Sequence, residues 1–319
     1  METGKEQIMV SIICPVYNKA DYIRQGMESI LNQKVDFSYE ILVGEDCSTD
    51  SSLEILREYE KNYPAKIHVF HREKNLRQSK NVYDLFTRSK GKYVMILDLD
   101  DYWIGEEKLK KQVDFLENHP EYIGVVHDFL VVDKLGNPMD KKEERKIGEY
   151  LGKEIHLEDF LEYGFIFQTA TLCYRNIWRE DWDYSILYKA DDTVVDLTIN
   201  TMLLKRAPIF VLEECMSAYR LVIEEDAHNV RSVCSKNLAK DYENNANHIH
   251  NLYMYFKKEV DFSVKWSWLI IAYLQGFLKR QDKRYRFTVL WNMYFKSSKE
   301  TKRNVKSQLA EAVKRKLGK

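Results

Sequence analysis

Tyr93-Val94-Met95-Ile96-Leu97-Asp98-Leu99-Asp100-Asp101 is the stretch that decides how this chain folds. Its first five residues form a short apolar run with the length and composition of a buried strand. The strand ends in three carboxylates, which repel one another and are costly to desolvate. A divalent cation relieves that conflict: Mg²⁺ or Mn²⁺ held by one or two carboxylates usually completes its shell with water and phosphate oxygens. A solvated acidic turn is the competing reading, and the tetrad alone does not choose between them.

Upstream of the tetrad, strand and helix signals alternate. Val10-Ser11-Ile12-Ile13-Cys14-Pro15 reads as a buried strand, and residues 21–32 carry helical spacing through Tyr22, Met27, Ile30 and Leu31. Residues 40–43 form a second strand entering the turn Gly44-Glu45-Asp46-Cys47-Ser48-Thr49-Asp50, whose polar cluster marks the start of a helix over 51–62. A third strand (67–71) and helix (81–89) precede the strand that carries the tetrad. Such alternation predicts an α/β fold, a Rossmann-like and mostly parallel sheet flanked by helices. Ligands of such sheets bind beyond the carboxyl ends of the strands, so the Asp46 turn and the tetrad are expected to face one crevice.

Farther along, residues 106–118 predict an exposed helix and 124–132 a strand with a turn at Gly136-Asn137-Pro138. Residues 140–153 predict a mobile charged loop, while 165–174 and 208–212 predict strands. From Ser235 onward glycine and proline nearly vanish and helical spacing dominates. The expected domains are therefore residues 1–234, an α/β domain that carries the crevice, and 235–319, a basic, aromatic-rich helical region.

Charge supports that division. The 319-residue chain has 49 Lys+Arg and 50 Asp+Glu, yet residues 236–319 hold 19 basic and only 7 acidic side chains. The basic region faces an anionic partner, or its lysines merely solubilise helices. Its aromatic groups, among them Trp266, Trp268 and Trp291, suit an anionic membrane surface. A helical subdomain packed on the catalytic module, or a homodimerising helix pair, fits the same pattern. The five cysteines form no C-x-x-C pair, which points to a reducing compartment without disulfides or zinc, and Cys14 and Cys47 read as small core residues. With no apolar signal core in the first ten residues and no apolar run near 20 residues, a cytoplasmic protein is expected, peripheral on the membrane at most.

The residues at the crevice edge resemble those of glycosyltransferase family 2, the inverting family built on the GT-A nucleotide-sugar fold. Three motifs carry the resemblance: Val10 to Asn18, Glu45-Asp46-Cys47-Ser48-Thr49-Asp50 where the family has D-D-G-S-x-D, and Asp98-Leu99-Asp100-Asp101. The resemblance implies that Pro15, Tyr17 and Asn18 cradle the nucleotide, Asp46 bonds its base, Asp98 lies near the ribose, and Asp100, with Asp98, holds the metal. The family's N-x-G and Arg-Asn segment corresponds to Asn75-Leu76-Arg77-Gln78-Ser79-Lys80-Asn81, with Leu76 read in place of glycine and Lys80 in place of arginine. Lys80 can still meet phosphate or base as a point charge. Cys47 replaces the glycine of the second motif.

Direct displacement at an anomeric carbon needs a base for the acceptor hydroxyl. The family supplies it from a late acidic pair at a helix start, matched here by Asp191-Asp192. Asp192 is the expected base and Asp191 its fallback; helix capping is the competing account. His228, a loose match to a late metal-binding histidine, either completes the metal shell or is a surface-loop residue. Gln168-Thr169-Ala170-Thr171 lies where relatives shape the acceptor side, and Trp178 and Trp182 either stack on sugar or pack in the core. The expected activity is metal-dependent transfer from a nucleotide-diphosphate sugar, UDP-linked by resemblance, to a glycan or lipid-linked acceptor. No nucleic acid is expected as a partner. A non-catalytic relic would have lost the base or metal aspartates, and a sugar-nucleotide pyrophosphorylase would carry a Gly-rich phosphate loop.

Overall fold

The computed structural model describes residues 7–140, 145–222, 237–279 and 283–316. These divide into two compact units, one of residues 1–188 and 192–222, the other of residues 189–191 and 223–319. The expected boundary at residue 234 lies outside the described residues.

The first unit is a nine-stranded sheet with helices. Strands β1 (Val10–Val16), β2 (Tyr39–Glu45), β3 (Ile67–His71) and β4 (Tyr93–Ile96) lie parallel in the order β3-β2-β1-β4. Both β1 and β2 are buried along their whole length, which is why their sequences are apolar runs instead of alternating patterns. Helices α1 (Ala20–Leu31), α2 (Ser52–Asn62) and α3 (Gln78–Arg88) make the crossovers. On α1 the apolar stripe is Ile23, Met27 and Ile30, all buried; each such side chain contributes about 1.5–3 kcal/mol of transfer free energy. The predicted alternation of the first four strands with helices, and their parallel pairing, is observed.

Beyond β4 the sheet becomes mixed. It includes β5 (Tyr102–Trp103), β6 (Gly124–Val132), β7 (Glu154–Ile155), β8 (Cys173–Arg175) and β9 (Ile209–Arg220). The short β8 runs antiparallel to both β4 and β6, while β6 and β9 are parallel. Counted by paired residues the sheet is mostly parallel, as expected. Helix α4 (Lys108–Asn118) is not simply exposed, because one face buries Lys108, Leu109, Gln112, Val113 and Leu116.

Two segments depart from expectation. In the 165–174 run only Cys173 and Tyr174 join a strand, and Thr169–Thr171 turns as a 3-10 helix in which Thr171 Oγ1 donates to the Gln168 carbonyl at 2.6 Å. Local threonine bonding there replaces ladder bonding. In the charged 140–153 segment, Lys146–Glu149 is also a 3-10 turn, anchored by the buried Ile147; residues 141–144 lie outside the described residues. Short helices α5 (Leu157–Tyr163) and α6 (Ile186–Ala190) precede α7 (Asp196–Leu204), which is buried along nearly its whole length.

The second unit is helical, as predicted: α8 (Leu238–Tyr255), α9 (Ser263–Leu278), α10 (Phe287–Lys296) and α11 (Lys299–Lys316). Trp266 is buried in it, whereas Trp268, Phe287, Trp291 and Phe295 are exposed. Among the described residues no helix is long and apolar enough to cross a membrane.

Candidate functional site

The carboxyl ends of three neighbouring parallel strands set the site. In register, Val16 of β1 pairs with Glu45 of β2, and the Leu97 N–H donates to the Ile13 carbonyl of β1 at 2.9 Å. Tyr17-Asn18, Asp46 and Asp98 therefore emerge side by side from one edge of the sheet, where ligands of such sheets bind. The expected juxtaposition of the Asp46 turn with the tetrad is met.

The first two loops are stitched together. The Asn18 N–H donates to Ser48 Oγ at 3.0 Å, and the Thr49 N–H donates to Asn18 Oδ1 at 2.8 Å. Asp50 accepts from the Ala20 N–H at the start of α1 and from the Ser52 N–H at the start of α2, each at 3.0 Å. One carboxylate thus caps two helices. Pro15 is buried beneath the edge and Tyr17 is partly exposed above it. Cys47 is half-exposed and not a core residue; its φ of 62° keeps the left-handed turn for which glycine is the usual choice.

Asp46 is buried, and its Oδ1 accepts from the Leu76 N–H at 2.7 Å. Burial outweighs that bond and raises its pKa above the ordinary carboxylate value. The next residue overturns the assignment of the missing glycine: Arg77, not Leu76, has the positive φ, with φ 66° and ψ 161°. That region is essentially reserved for glycine and costs a larger residue about 1–3 kcal/mol. Arg77 Nη1 meets Asp192 Oδ2 at 2.7 Å, but both side chains are more than half exposed. An exposed pair contributes only about 0–1 kcal/mol. As a stability device Arg77 is a net loss.

The tetrad divides its roles. The Asp101 N–H donates to the Asp98 carbonyl at 2.8 Å, closing a tight turn. Asp101 Oδ1 accepts the Arg220 N–H at 2.7 Å, while Arg220 Nε donates to the Asp100 carbonyl at 2.8 Å. The same guanidinium reaches the carbonyls of Asp133 and Lys134 and Gln25 Oε1. Arg220 is buried and ties the turn to Gln25 and to the backbone at residues 133–134. Burial, then the neighbouring Asp100, pushes Asp98 up to about 7; the same two causes, in that order, raise Asp101.

Asp100 pairs with Lys19 Nζ. Burial opposes the lysine's charge, but Asp100, supported by Asp98 and Asp101, more than offsets it and raises the Lys19 pKa. A cation thus already sits against the expected metal ligand. Among the described residues no group of three His, Cys, Asp or Glu side chains gathers to hold a metal. A cation here would draw on Asp100, Asp98 and oxygens from ligand and water. His228 lies outside the described residues.

The late acidic pair is not at a helix start. Asp191 and Asp192 lie between α6 and α7, and the acidic residue in the first turn of α7 is Asp196. Helix capping therefore does not account for the pair. Asp192 belongs to the first unit, where its carbonyl accepts from the Ser79 N–H at 3.3 Å. Asp191 belongs to the second unit, where its carboxylate lies 3.9 Å from the Nδ1 of the buried His248. Burial, only partly opposed by Asp191, lowers His248 to about 4 and leaves it neutral near pH 7. His248 faces Asp191, and the His250 ring packs edge-on to Trp266.

Lys80 Nζ lies 5.6 Å from the centre of the Tyr188 ring. Trp178 stacks on Phe86 with ring centres 4.2 Å apart and donates to Tyr174 Oη, so it is a core residue. Trp182 is exposed. Thr169 Oγ1 donates to Asp196 Oδ1 at 2.8 Å; Asp196 has its pKa raised by burial and adds its charge to the field that raises Asp98. Sequence reasoning missed Lys19, Arg77, Asp196 and the clamp role of Arg220. Lys19 directly follows the first motif, but nothing local signals its partner or those of Arg220.

Comparison with known proteins follows this geometry. Residues 11–181 match the model of glycosyl transferase family 2. The putative teichuronic acid biosynthesis glycosyltransferase TuaG of Bacillus subtilis is 30% identical over 217 residues, 67% of this chain and 79% of TuaG. An uncharacterised Mycobacterium tuberculosis protein is 32% identical over 39% of this chain, and the match spans only 36% of that relative's length. Among solved structures, Staphylococcus aureus TarS residues 1–349 in complex with UDP aligns with a TM-score of 0.54 at 20% identity, covering 85% of this chain and 72% of that one. The Pyrobaculum calidifontis mannosyltransferase PcManGT, in complex with GDP-Man and Mn²⁺, aligns with a TM-score of 0.51 at 14% identity, covering 98% and 87%. These structures share the fold, GT-A-like with a helical region after it. The family match over more than half of the chain, with its three motifs at one sheet edge, makes this chain a member of glycosyl transferase family 2.

Proposed function

We propose that this protein is a metal-dependent inverting glycosyltransferase that moves a sugar from a nucleotide diphosphate, UDP in the first instance, to a glycan or lipid-linked acceptor. The observation that carries the reading is the convergence of Asp46, Asp98 and Asp100 at the ends of β2 and β4 in a chain of this family. The UDP bound to TarS supports the donor class, and TuaG's name supports a glycan product. Asp46 takes the base, Asp98 the ribose, and Pro15, Tyr17 and Asn18 form the wall around them. Lys80 supplies a positive charge toward the nucleotide.

Asp100 and Asp98 fit Mg²⁺ or Mn²⁺: they are hard oxygen donors, crowded enough that Lys19 already neutralises one of them. When bound, the cation supplies charge neutralisation of the departing diphosphate. Asp192 removes the acceptor hydroxyl's proton as that oxygen bonds to the anomeric carbon and the carbon–diphosphate bond breaks on the opposite face. Such a base contributes about 10²–10⁴-fold in rate. On the helical unit, exposed Trp268, Phe287, Trp291 and Phe295 among basic residues support contact with an anionic membrane surface. Flotation with anionic vesicles checks that contact.

The central test is a panel of UDP-glucose, UDP-galactose, UDP-N-acetylglucosamine and GDP-mannose with Mn²⁺ or Mg²⁺, scored for nucleotide release. One donor is expected to turn over, only with metal, and Asp192→Asn is expected to lose at least about 100-fold. Metal-independent turnover, or full activity in that variant, overturns the mechanism.

A further inference from the structure

We propose that Arg77 is a positioning residue that holds the Asp192 carboxylate in place for proton abstraction; the proposal rests on the reading of Asp192 as the base. Three observations converge. The backbone of Arg77 occupies a conformation that suits glycine, at φ 66° and ψ 161°. The exposed ion pair it makes does not offset that strain, so the side chain is not retained for stability. And the partner of its guanidinium is Asp192, 115 residues away in sequence.

The geometry suits positioning better than blocking. Arg77 Nη1 engages only Asp192 Oδ2, at 2.7 Å, and among the described residues no side chain or backbone group donates to Oδ1. The Asp192 backbone is fixed separately, its carbonyl accepting from the Ser79 N–H at the start of α3. One oxygen anchored and one open is the arrangement a carboxylate base needs: the open oxygen receives the acceptor's proton, while the anchored one fixes the plane. Arg77 also lies next to Leu76, whose N–H is bound by the buried Asp46. A single tripeptide, Asn75-Leu76-Arg77, thereby joins the residue assigned to the nucleotide base and the residue assigned to the acceptor proton.

The test uses the full chain with Arg77→Gly and Arg77→Lys, measuring nucleotide release from the donor that turns over in the panel, and UDP affinity in the presence of Mn²⁺. Arg77→Gly relieves the backbone strain, so its melting temperature is expected at or above that of the wild type. Its kcat is expected to fall about 10-fold, while KM for the donor and Kd for UDP stay within about twofold. Arg77→Lys is expected to recover at least about a third of the lost rate. Wild-type kcat in Arg77→Gly overturns the proposal, as does a loss confined to KM and Kd, which would make Arg77 a donor contact. Asp192→Asn run alongside separates the two claims. If it is inactive beside a fully active Arg77→Gly, only the positioning role fails; if it is fully active, the base assignment fails first.

Discussion

Lys19 Nζ is bonded to the carboxylate of Asp100, and both side chains are mostly shielded from water. Under the proposed function an internal cation therefore occupies the charge position of the divalent ion, and an ion bound to Asp100 would compete with it. A partly buried pair of this kind is worth about 1 kcal/mol, or about a fivefold change in an equilibrium constant. Lys19→Met is expected to bind Mn²⁺ about five times more tightly in the absence of donor, read by the decrease in free Mn²⁺ signal in paramagnetic resonance titrations. Weaker or unchanged binding would mean that Lys19 does not compete for Asp100.

Asp46 is the second place where the structure sets a magnitude. Its Oδ1 accepts from the Leu76 N–H, and under the proposed function the same carboxylate meets the nucleotide base. Asp46→Asn keeps an oxygen for Leu76 but turns the other position from acceptor to donor, and a mismatched hydrogen bond to a ligand costs about 1–3 kcal/mol. UDP affinity by calorimetry is expected to drop about 10-fold or more, with kcat at saturating donor changed far less. Unaltered UDP affinity would remove Asp46 from base recognition.

Lys108 offers a pH signature independent of activity. It is fully buried, bonded to Gln112 Oε1 at 2.7 Å, and lies 4.2 Å from the centre of the Trp103 ring. Burial lowers its pKa from 10.5 to about 7. The folded chain then binds fewer protons than the unfolded chain between those values, so this residue makes stability rise with pH across that window; the gain is lost as pH falls from 10.5 to 7, and below 7 the residue adds no further pH dependence. From pH 7 to 9 the rise amounts to about 2–3 kcal/mol. Urea denaturation is expected to show that rise in the wild type relative to Lys108→Met, with the two curves parallel in pH if Lys108 is charged in the fold.

How much of this was legible beforehand depended on how far apart the partners lie in sequence. Strands such as Val10–Val16 and Tyr93–Ile96 announce themselves because burial on both faces demands an unbroken apolar run. The crevice followed from topology, since parallel strands bring their carboxyl ends to one edge. Residues 165–172 also read as a strand but end in a 3-10 turn, because a threonine hydroxyl bonding to a nearby carbonyl is invisible to a hydropathy pattern. Side-chain pairing was the least legible. Lys19 finds Asp100 across 81 residues and Arg77 finds Asp192 across 115, and no local spacing encodes either. The misplaced glycine shows the same limit: the motif pointed to the tripeptide, but only the backbone angles singled out Arg77.

The Arg220 clamp has a consequence for the order in which the protein matures. The residue stands at the end of β9, 119 positions after the Asp101 carboxylate it binds. On the ribosome, all four parallel strands and their crossover helices emerge before it does. A nascent chain of that length already owns the nucleotide-facing loops, yet its acidic turn still lacks the arginine that fixes the backbone of Asp100. The acidic turn is thereby left without its clamp until the far end of the sheet has been made.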